Sequence, residues 1–424
     1  MKLVERHIIK KGHQFFDECD SLCFASKNLY NLANYNIRQG FIYTKTYSNY
    51  NLLARALKQT KEYKALPAKV AQQVLIVLER NWSTFFAALA EWKKSPEKFT
   101  GRPKLPKYKD KQKGRNILVY TKQAISKLWL KKGVIAPSKA HIKIPTKIAP
   151  ESIKEVRIVP NTDCYIVEVI YEQINSISQS ENDKNIASID LGLNNLIALT
   201  SNQPGFQPIL INGRPLKSIN QFYNKKKASL QEKLPRFNYN SKRILRLTRR
   251  RNQKINNYLH HASNQIVNIL RNHSIGTLVI GQNKQQKQSI NIGKTNNQNF
   301  VNISHSKLIA QLTYKCDKVG IKVILTEESY TSASSFLDSD PIPVYGDDEA
   351  KLIKFSGKRV KRGLYRSSSG KSINADVNAA YNILRKVFPK AFADGIESCV
   401  VQPRLVTPTK EKMKGEAEMP FMAM

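Results

Sequence analysis

Acidic residues are scarce in this chain. Asp and Glu number 32 against 70 Lys and Arg, which leaves a formal net charge of +38. A surplus of that size cannot be neutralised internally, and the natural polyanion that relieves it is nucleic acid. The balance argues against an ordinary metabolic enzyme. Cysteine is also rare. The five, at 19, 23, 164, 316 and 399, are odd in number and widely spaced. The opening MKLVERHIIKK does not form a secretory signal, so reduced thiols in a cytoplasmic compartment are expected. Cys19 and Cys23 have no second pair nearby, and structural zinc usually needs four ligands. They read as small apolar residues on one helix face. No run reaches the ~18 apolar residues of a membrane span, so no membrane partner is expected. The seven His show no paired ligand spacing, and His260 and His261 read as structural or phosphate-facing.

What is present is enough for a core. Hydrophobic residues make up 41% of 424 positions, which excludes wholesale disorder. One core rarely grows past roughly 250–300 residues, so two to three domains are expected. Residues 1–11 alternate as a strand. From His13 to Arg38 the period is helical, and a second amphipathic helix follows Pro67, with Val70, Val74, Leu78, Trp82 and Phe85 on one face. The character changes at Gly101. Positions 101–140 hold 12 Lys or Arg and one acid, Asp110. Short strand-like runs accompany them, at 116–120, 127–130, 141–144, 156–159 and 164–171. Bases interleaved with aromatics on a small β domain suit a surface that tracks a nucleic-acid backbone. Arg102, Lys104, Lys107 and Lys109 are its candidates.

A polar stretch at 174–184 reads as a linker. Beyond it the pattern is strand, strand, strand, long basic helix, strand, helix, strand, helix. That order is the order of an RNase H-like fold. Arg246, Arg249, Arg250, Arg251 and Lys254 crowd the start of the basic helix and are further candidates for nucleic-acid contact. In such a fold, acids from separate elements converge on two divalent metals that activate water and stabilise the leaving oxygen of a phosphodiester. Hard cations such as Mg2+, or Mn2+ in its place, take carboxylate oxygens.

Two acids fit at once. Asp190 stands in I-D-L-G-L, where an Asp among Ile189, Leu191 and Leu193 is costly unless paired or metal-bound. Asp376 opens the last helix in N-A-D-V-N-A-A-Y. A third acid is expected at the carboxyl end of strand 277–281, yet Gly281 stands there. The next strand ends in V-I-L-T-E-E-S-Y. Adjacent strands lie about 4.8 Å apart, so Glu327 or Glu328 can supply the missing carboxylate. Alternation turns only one of them inward, and the sequence does not choose between them.

At these residues the chain resembles the TnpB (OrfB) proteins of bacterial insertion sequences, relatives of the type V CRISPR effectors. The carriers are I-D-L-G at 189–192, R-R-R-N-Q-K-I at 249–255, L-T-Y-K at 312–315, V-G-I-K-V at 319–323, Y-T-S at 330–332 and N-A-D-V-N-A-A-Y-N-I at 374–383. N-L-Y-N at 28–31, L-P at 66–67 and G-R-P at 101–103 also fit. Each is short, and their order and spacing together make the match.

The resemblance implies an α+β and α/β multidomain protein. A wedge-like β-barrel (1–11 and 101–173) would carry an inserted helical recognition lobe (12–100). An RNase H-like (RuvC) nuclease domain (185–390) would follow, and a flexible tail (391–424) would close the chain. It implies a guide RNA from the transposon end and double-stranded target DNA beside a short adjacent motif, read as in other RNA-guided systems. A monomer near the bacterial nucleoid is the favoured state.

Two departures stand out. The family usually has a glutamate where Gly281 stands, although relatives with a relocated glutamate and relatives that only bind DNA exist. The family also usually has a four-cysteine zinc ribbon before the last Asp, whereas this chain has no Cys from 317 to 398. The resemblance therefore implies no zinc, with a metal-free hairpin inside an insert at about 333–372. Lys358, Arg359 and Arg362 of that insert are candidate nucleic-acid contacts. The leading expectation is an Mg2+-dependent RNA-guided DNA endonuclease. The alternatives are a cleavage-incompetent RNA-guided DNA-binding protein and, behind it, a conventional transposase.

Overall fold

A computed structural model of the chain describes residues 2–173, 184–236, 238–282, 304–344, 346, 353–393 and 395–408. The chain divides into two units, Met1–Ile174 and Asn175–Ala417. The boundary falls in the expected linker, of which only Lys184 lies within the described residues.

The first unit opens with β1 (Lys2–Lys10), then α1 (Phe16–Gln39), α2 (Tyr50–Leu57), α3 (Lys61–Lys64) and α4 (Ala68–Lys94). The expected helical faces become the core. Cys19, Cys23, Leu29 and Ala33 of α1 are buried, as are Val70, Val74, Leu78 and Trp82 of α4. Each large apolar side chain buried this way contributes about 1.5–3 kcal/mol. Asn49 and Thr60 cap α2 and α3 by accepting from the amides of Leu52 and Tyr63. Pro67 sits at the N-cap of α4, one position before its first turn.

The strands are β2 (Leu118–Thr121), β3 (Val134–Ile135), β4 (Ile144–Pro145), β5 (Ile153–Asn161) and β6 (Cys164–Glu172). β1, β6, β5 and β2 form an antiparallel sheet in that order, and β3 pairs with β4. The KLWL run at 127–130, expected as a strand, is the short helix α5 (Lys127–Lys131). Four residues are too few for the period to discriminate, and Gly133 at φ 69° ends the turn. The strand expected at 141–144 begins only at Ile144.

Between α4 and β2 the basic segment runs without regular structure. Its peptide groups are held by the polar face of α1. Asn31 Nδ2 donates to Lys109 O and Asn31 Oδ1 accepts from Lys109 N, both at 2.9 Å. Asn34 Nδ2 donates to Pro106 O at 3.0 Å, and Lys27 Nζ to Lys111 O at 2.7 Å. Trp82 Nε1 fixes Asn34 from α4, at 3.0 Å.

The second unit centres on a six-stranded sheet of β7 (Ile186–Asp190), β8 (Asn195–Ser201), β9 (Ile209–Asn212), β10 (Thr277–Gly281), β11 (Lys322–Thr326) and β15 (Arg404–Val406). Its spatial order is β11-β10-β7-β8-β9-β15. β7, β8 and β9 pair antiparallel, while β10 runs parallel to β7 and β11 parallel to β10. The central strands are buried on both faces. Ala187, Ile189, Leu278 and Ile280 pack with α7 (Lys242–Asn272) and α8 (His305–Lys318). Ile186 and Val279 face α9 (Ala375–Val387) on the other side. That accounts for the nearly continuous apolar runs in the sequence. The helix α6 (Arg214–Glu232) packs on α7. A small antiparallel sheet of β12 (Lys358–Lys361), β13 (Leu364–Arg366) and β14 (Ser372–Asn374) precedes α9.

In the segment from 391, expected to be flexible, the described residues up to 408 pack on the second unit. Phe392, Ile396, Cys399 and Val401 pack against the core, and Arg404–Val406 pairs in parallel with β9. Spaced apolar residues among polar ones hid that packing. Residues 409–424 lie outside the described residues. Among the described residues, no helix is long and apolar enough to cross a membrane.

Candidate functional site

The parallel strands β7, β10 and β11 end at one edge of the sheet, where open sheets of this kind build their sites. Register sets the level. Ile280 lies opposite Ile189, and Gly281 opposite Thr326. Asp190 is the last residue of β7, so Asp190 and Gly281 end together, and Glu327 and Glu328 follow directly after β11. α9 brings the fourth acid. Asn374 caps it, its side chain accepting from the amides of Asp376 at 3.0 Å and Val377 at 3.2 Å, which fixes Asp376 in the first turn.

Asp190, Glu328 and Asp376 share one electrostatic environment. Burial holds the Asp190 carboxyl well above the usual carboxylate range, and the charges of Glu328 and Asp376 push the same way. Arg359 opposes them. Burial, aided by the charge of Glu327, pushes Glu328 up to about 7.

The two glutamates part company here. Glu327 Oε2 takes a 2.7 Å ion pair from Lys386, and its Oε1 accepts from Ser329 N at 2.7 Å. Glu328 turns inward. A Cβ built on Gly281 would stand 3.0 Å from Glu328 Oε2 and 2.6 Å from Ile383 Cδ1. The Glu328 carboxylate thus lies beside the glycine. The alternation that left the pair ambiguous in sequence is decided by Lys386, whose signal, a base in a last helical turn, is too common to read in advance.

Asp376 is engaged on both oxygens. Asn195 Nδ2 donates to Oδ2 at 2.7 Å, and Arg359 Nη2 stands 3.8 Å from Oδ1. Arg359 is braced by donating to Arg362 O at 2.9 Å. As the side chains lie, no three or more of His, Cys, Asp and Glu among the described residues are close enough to grip a metal ion. Glu328 and Asp376 are near enough to raise the proton affinity of Asp190. Their chemistry, all hard oxygen donors, fits a divalent cation whose charge would draw them together.

The candidate nucleic-acid contacts fall in three places. Arg102, Lys104, Lys107 and Lys109 are exposed on the segment pinned by α1. Arg246, Arg250 and Lys254 are exposed on α7, and Arg249 is half-buried. Arg251 differs. Its Nε and Nη2 donate to Asn220 Oδ1 of α6 at 2.8 and 2.6 Å, and Asn220 is buried. Lys358, Arg359 and Arg362 are exposed on the small sheet or its turn. Asn195, Lys386 and the α1 side chains that hold the basic segment were not legible in the sequence, because single amides and lysines carry no pattern.

Residues 164–287 match the family model described as OrfB_IS605, probable transposase. Residues 305–383 match the model described as Cas12f1-like, TNB domain. Over these two segments the chain is similar to TnpB-like proteins and to the type V effectors. Asp190 and Gly281 lie in the first match, and Glu328, Asp376 and the small sheet in the second. No curated protein matches it. Among solved structures, it is similar to a Cas12f1–sgRNA–target DNA complex at 15% identity, over 90% of this chain and 98% of that one, with a TM-score of 0.35. It is also similar to a CRISPR-Cas12f ternary complex at 14% identity, over 87% and 82%, with a TM-score of 0.36. C2c1 of Alicyclobacillus acidoterrestris with single-guide RNA matches at 9% identity over 87% and 66%, with a TM-score of 0.40.

Proposed function

We propose that this chain is an RNA-guided endonuclease of an insertion sequence that cuts double-stranded DNA beside a short adjacent motif. The observation that carries the reading is the Glu328 carboxylate beside Gly281, within electrostatic reach of Asp190, which also feels Asp376. A catalytic acid displaced to the next strand end, with its neighbour tied off by Lys386, is what a functioning site with a glycine at 281 requires. The strand order β11-β10-β7-β8-β9 supports an RNase H-like (RuvC) fold over 185–390. The four-stranded sheet with its β3–β4 hairpin supports a wedge-like barrel, and α1–α4 an inserted recognition lobe. The charge of +38 supports a guide RNA and target DNA as partners.

Asp190, Glu328 and Asp376 would hold Mg2+, or Mn2+ in its place. When bound, the ions would supply an activated water and charge stabilisation at the leaving oxygen. Asn195 fixes the rotamer of Asp376, and Arg359 offsets the carboxylate charge. Lysines and arginines of the pinned segment, of α7 and of the small sheet bind the phosphate backbones, and base pairing reads the sequence.

The test is cleavage of a matched target with guide RNA and Mg2+. Asp190→Ala and Asp376→Ala should reduce cutting to background while RNA and target binding stay within about twofold, since only the acids in contact with the reaction are removed. Unchanged cutting in either variant refutes the assignment. A binding-only protein remains the second reading, favoured by Gly281 at the end of β10. Wild-type protein that binds RNA and target yet never cuts would establish it.

A further inference from the structure

Between β11 and α9 the chain builds a sheet that is too small to hold itself. Of the residues in β12, β13 and β14, only Tyr365 and Ile373 are buried, and all of β12 is exposed. Elements of this size usually need a disulfide or a metal as a staple, and the chain has no Cys from 317 to 398.

We infer that Asp338 and Asp340 are positioning residues, a carboxylate clasp that holds the basic β12–β13 hairpin beside Asp376 in the role a structural metal would otherwise have. The functional half of this inference rests on the nuclease reading. Asp340 is buried, and its Oδ2 accepts two backbone amides, Ser335 N at 2.9 Å and Ser356 N at 3.0 Å. It therefore closes its own loop and ties down the chain entering β12. Asp338 secures the opposite end. Its Oδ2 accepts from Ser335 Oγ at 2.5 Å and Ser368 N at 3.0 Å, and its Oδ1 from Ser368 Oγ at 2.6 Å. Ser368 lies in the turn between β13 and β14. Both ends of the sheet are thus fastened to one loop, residues 335–340.

That loop is fixed to the helix carrying Asp376. Asn378 accepts from Phe336 N at 2.9 Å and donates to Ser334 O at 2.8 Å. Asn382 donates to Thr331 O at 2.9 Å and Ser334 O at 2.7 Å. Tyr365 OH closes the circuit from β13 onto Ala333 O at 2.6 Å. The circuit runs from α9 through the amides to the loop, and through the two carboxylates to the hairpin. It returns at Arg359, 3.8 Å from Asp376 Oδ1. The links from α9 through the loop to the hairpin are hydrogen bonds and the return at Arg359 is a longer ion pair, and together they favour one position of the hairpin over many.

The chemistry of the clasp separates two substitutions. Both amides at Asp340 are accepted by one oxygen, which the amide oxygen of Asn can replace. Asp340→Asn should keep the clasp, and Asp340→Ala should open it. Amide hydrogen exchange over residues 353–374 reads the clasp without reference to cleavage. Exchange there should be about tenfold or more faster in Asp340→Ala and near wild type in Asp340→Asn. Asp338→Ala, which frees only the β13–β14 end, is the second variant should Asp340→Ala fail to fold, and it should speed exchange around Ser368 alone. In single-turnover cutting, Asp340→Ala should lose about 10- to 100-fold with target affinity unchanged, and Asp340→Asn less than about threefold. Adding Arg359→Ala to Asp340→Ala should cost no more than Arg359→Ala alone, because both act through one guanidinium.

Unchanged exchange in Asp340→Ala would overturn the clasp. So would Asn proving as damaging as Ala, or purified wild-type protein carrying one zinc per chain with a chelator loosening the same residues. Multiplying losses in the double variant would overturn the positioning role. A wild type that never cuts would sink the nuclease reading, while the exchange pattern still decides the clasp.

Discussion

Asn195 Nδ2 donates a 2.7 Å hydrogen bond to Asp376 Oδ2, joining the start of β8 to the first turn of α9. The two residues are 181 positions apart, and the bond sets how the carboxylate faces its neighbours. Asn195→Ala should lower the cutting rate about 10- to 100-fold, the scale of an ångström-sized misplacement, without changing target affinity. Asn195→Asp should be worse, since it sets a like charge against Asp376. Single-turnover rates beside a binding titration check both.

The paired glutamates should behave as unlike residues. Glu328→Gln should abolish cutting. Glu327→Gln should leave it near wild type and cost about 1 kcal/mol or less of stability, since its ion pair with Lys386 is partly screened by solvent. Gly281→Ala should lower cutting about tenfold, because its methyl presses on Glu328 Oε2 and Ile383 Cδ1, and displaced acids act poorly. Equal cutting by Glu327→Gln and Glu328→Gln would refute the inward assignment.

Neighbouring arginines on α7 divide between folding and binding. Arg251→Ala should destabilise the protein by about 1–3 kcal/mol, because it strips the donors from buried Asn220. Its binding to nucleic acid should keep the wild-type salt dependence. Arg250→Ala should leave the melting temperature alone and reduce the salt slope of binding by about one, as loss of a phosphate contact does. Melting curves and titrations at several salt concentrations separate the two.

Lys315 gives the fold a pH signature. Burial drives its ammonium down to about 7, and Nζ bonds His260 O at 3.0 Å and Ser263 Oγ at 2.6 Å. Between about 7 and the ordinary lysine value near 10.4 the unfolded chain holds a proton that the folded chain has released. Stability contributed at this position therefore rises with pH across that window and is lowest below it. Lys315→Met should be more stable than wild type at pH 6, with the gap narrowing by pH 9. Denaturant unfolding of both proteins at the two values checks the sign, and parallel curves would contradict it.

The acids at 190 and 376 stood out as candidates because each sits where physics makes a carboxylate conspicuous, one amid apolar strand residues and one in a helix start, and the structure brings them within electrostatic reach. The strand and helix order of the second unit was legible for a related reason, since long buried strands and amphipathic helices repeat their period many times. What escaped was short or lacked a period. KLWL read as strand and folded as α5, and Arg404–Val406 read as tail and paired with β9. Arg251 looked like its exposed neighbours because a run of arginines says nothing about which one faces α6. Asp338 and Asp340 carried no signal of their own, for their partners are backbone amides and serines that any sequence could offer.

The segment from Arg102 to Lys113 is secured through its carbonyls and amides, by Lys27, Asn31 and Asn34 reaching out from α1. A ribbon gripped by its main chain does not depend on what it displays. Lysines 104 and 107 could be exchanged for other residues with the ribbon still in place, so affinity for a partner could drift over generations, or be retuned at the bench, with the scaffold left untouched.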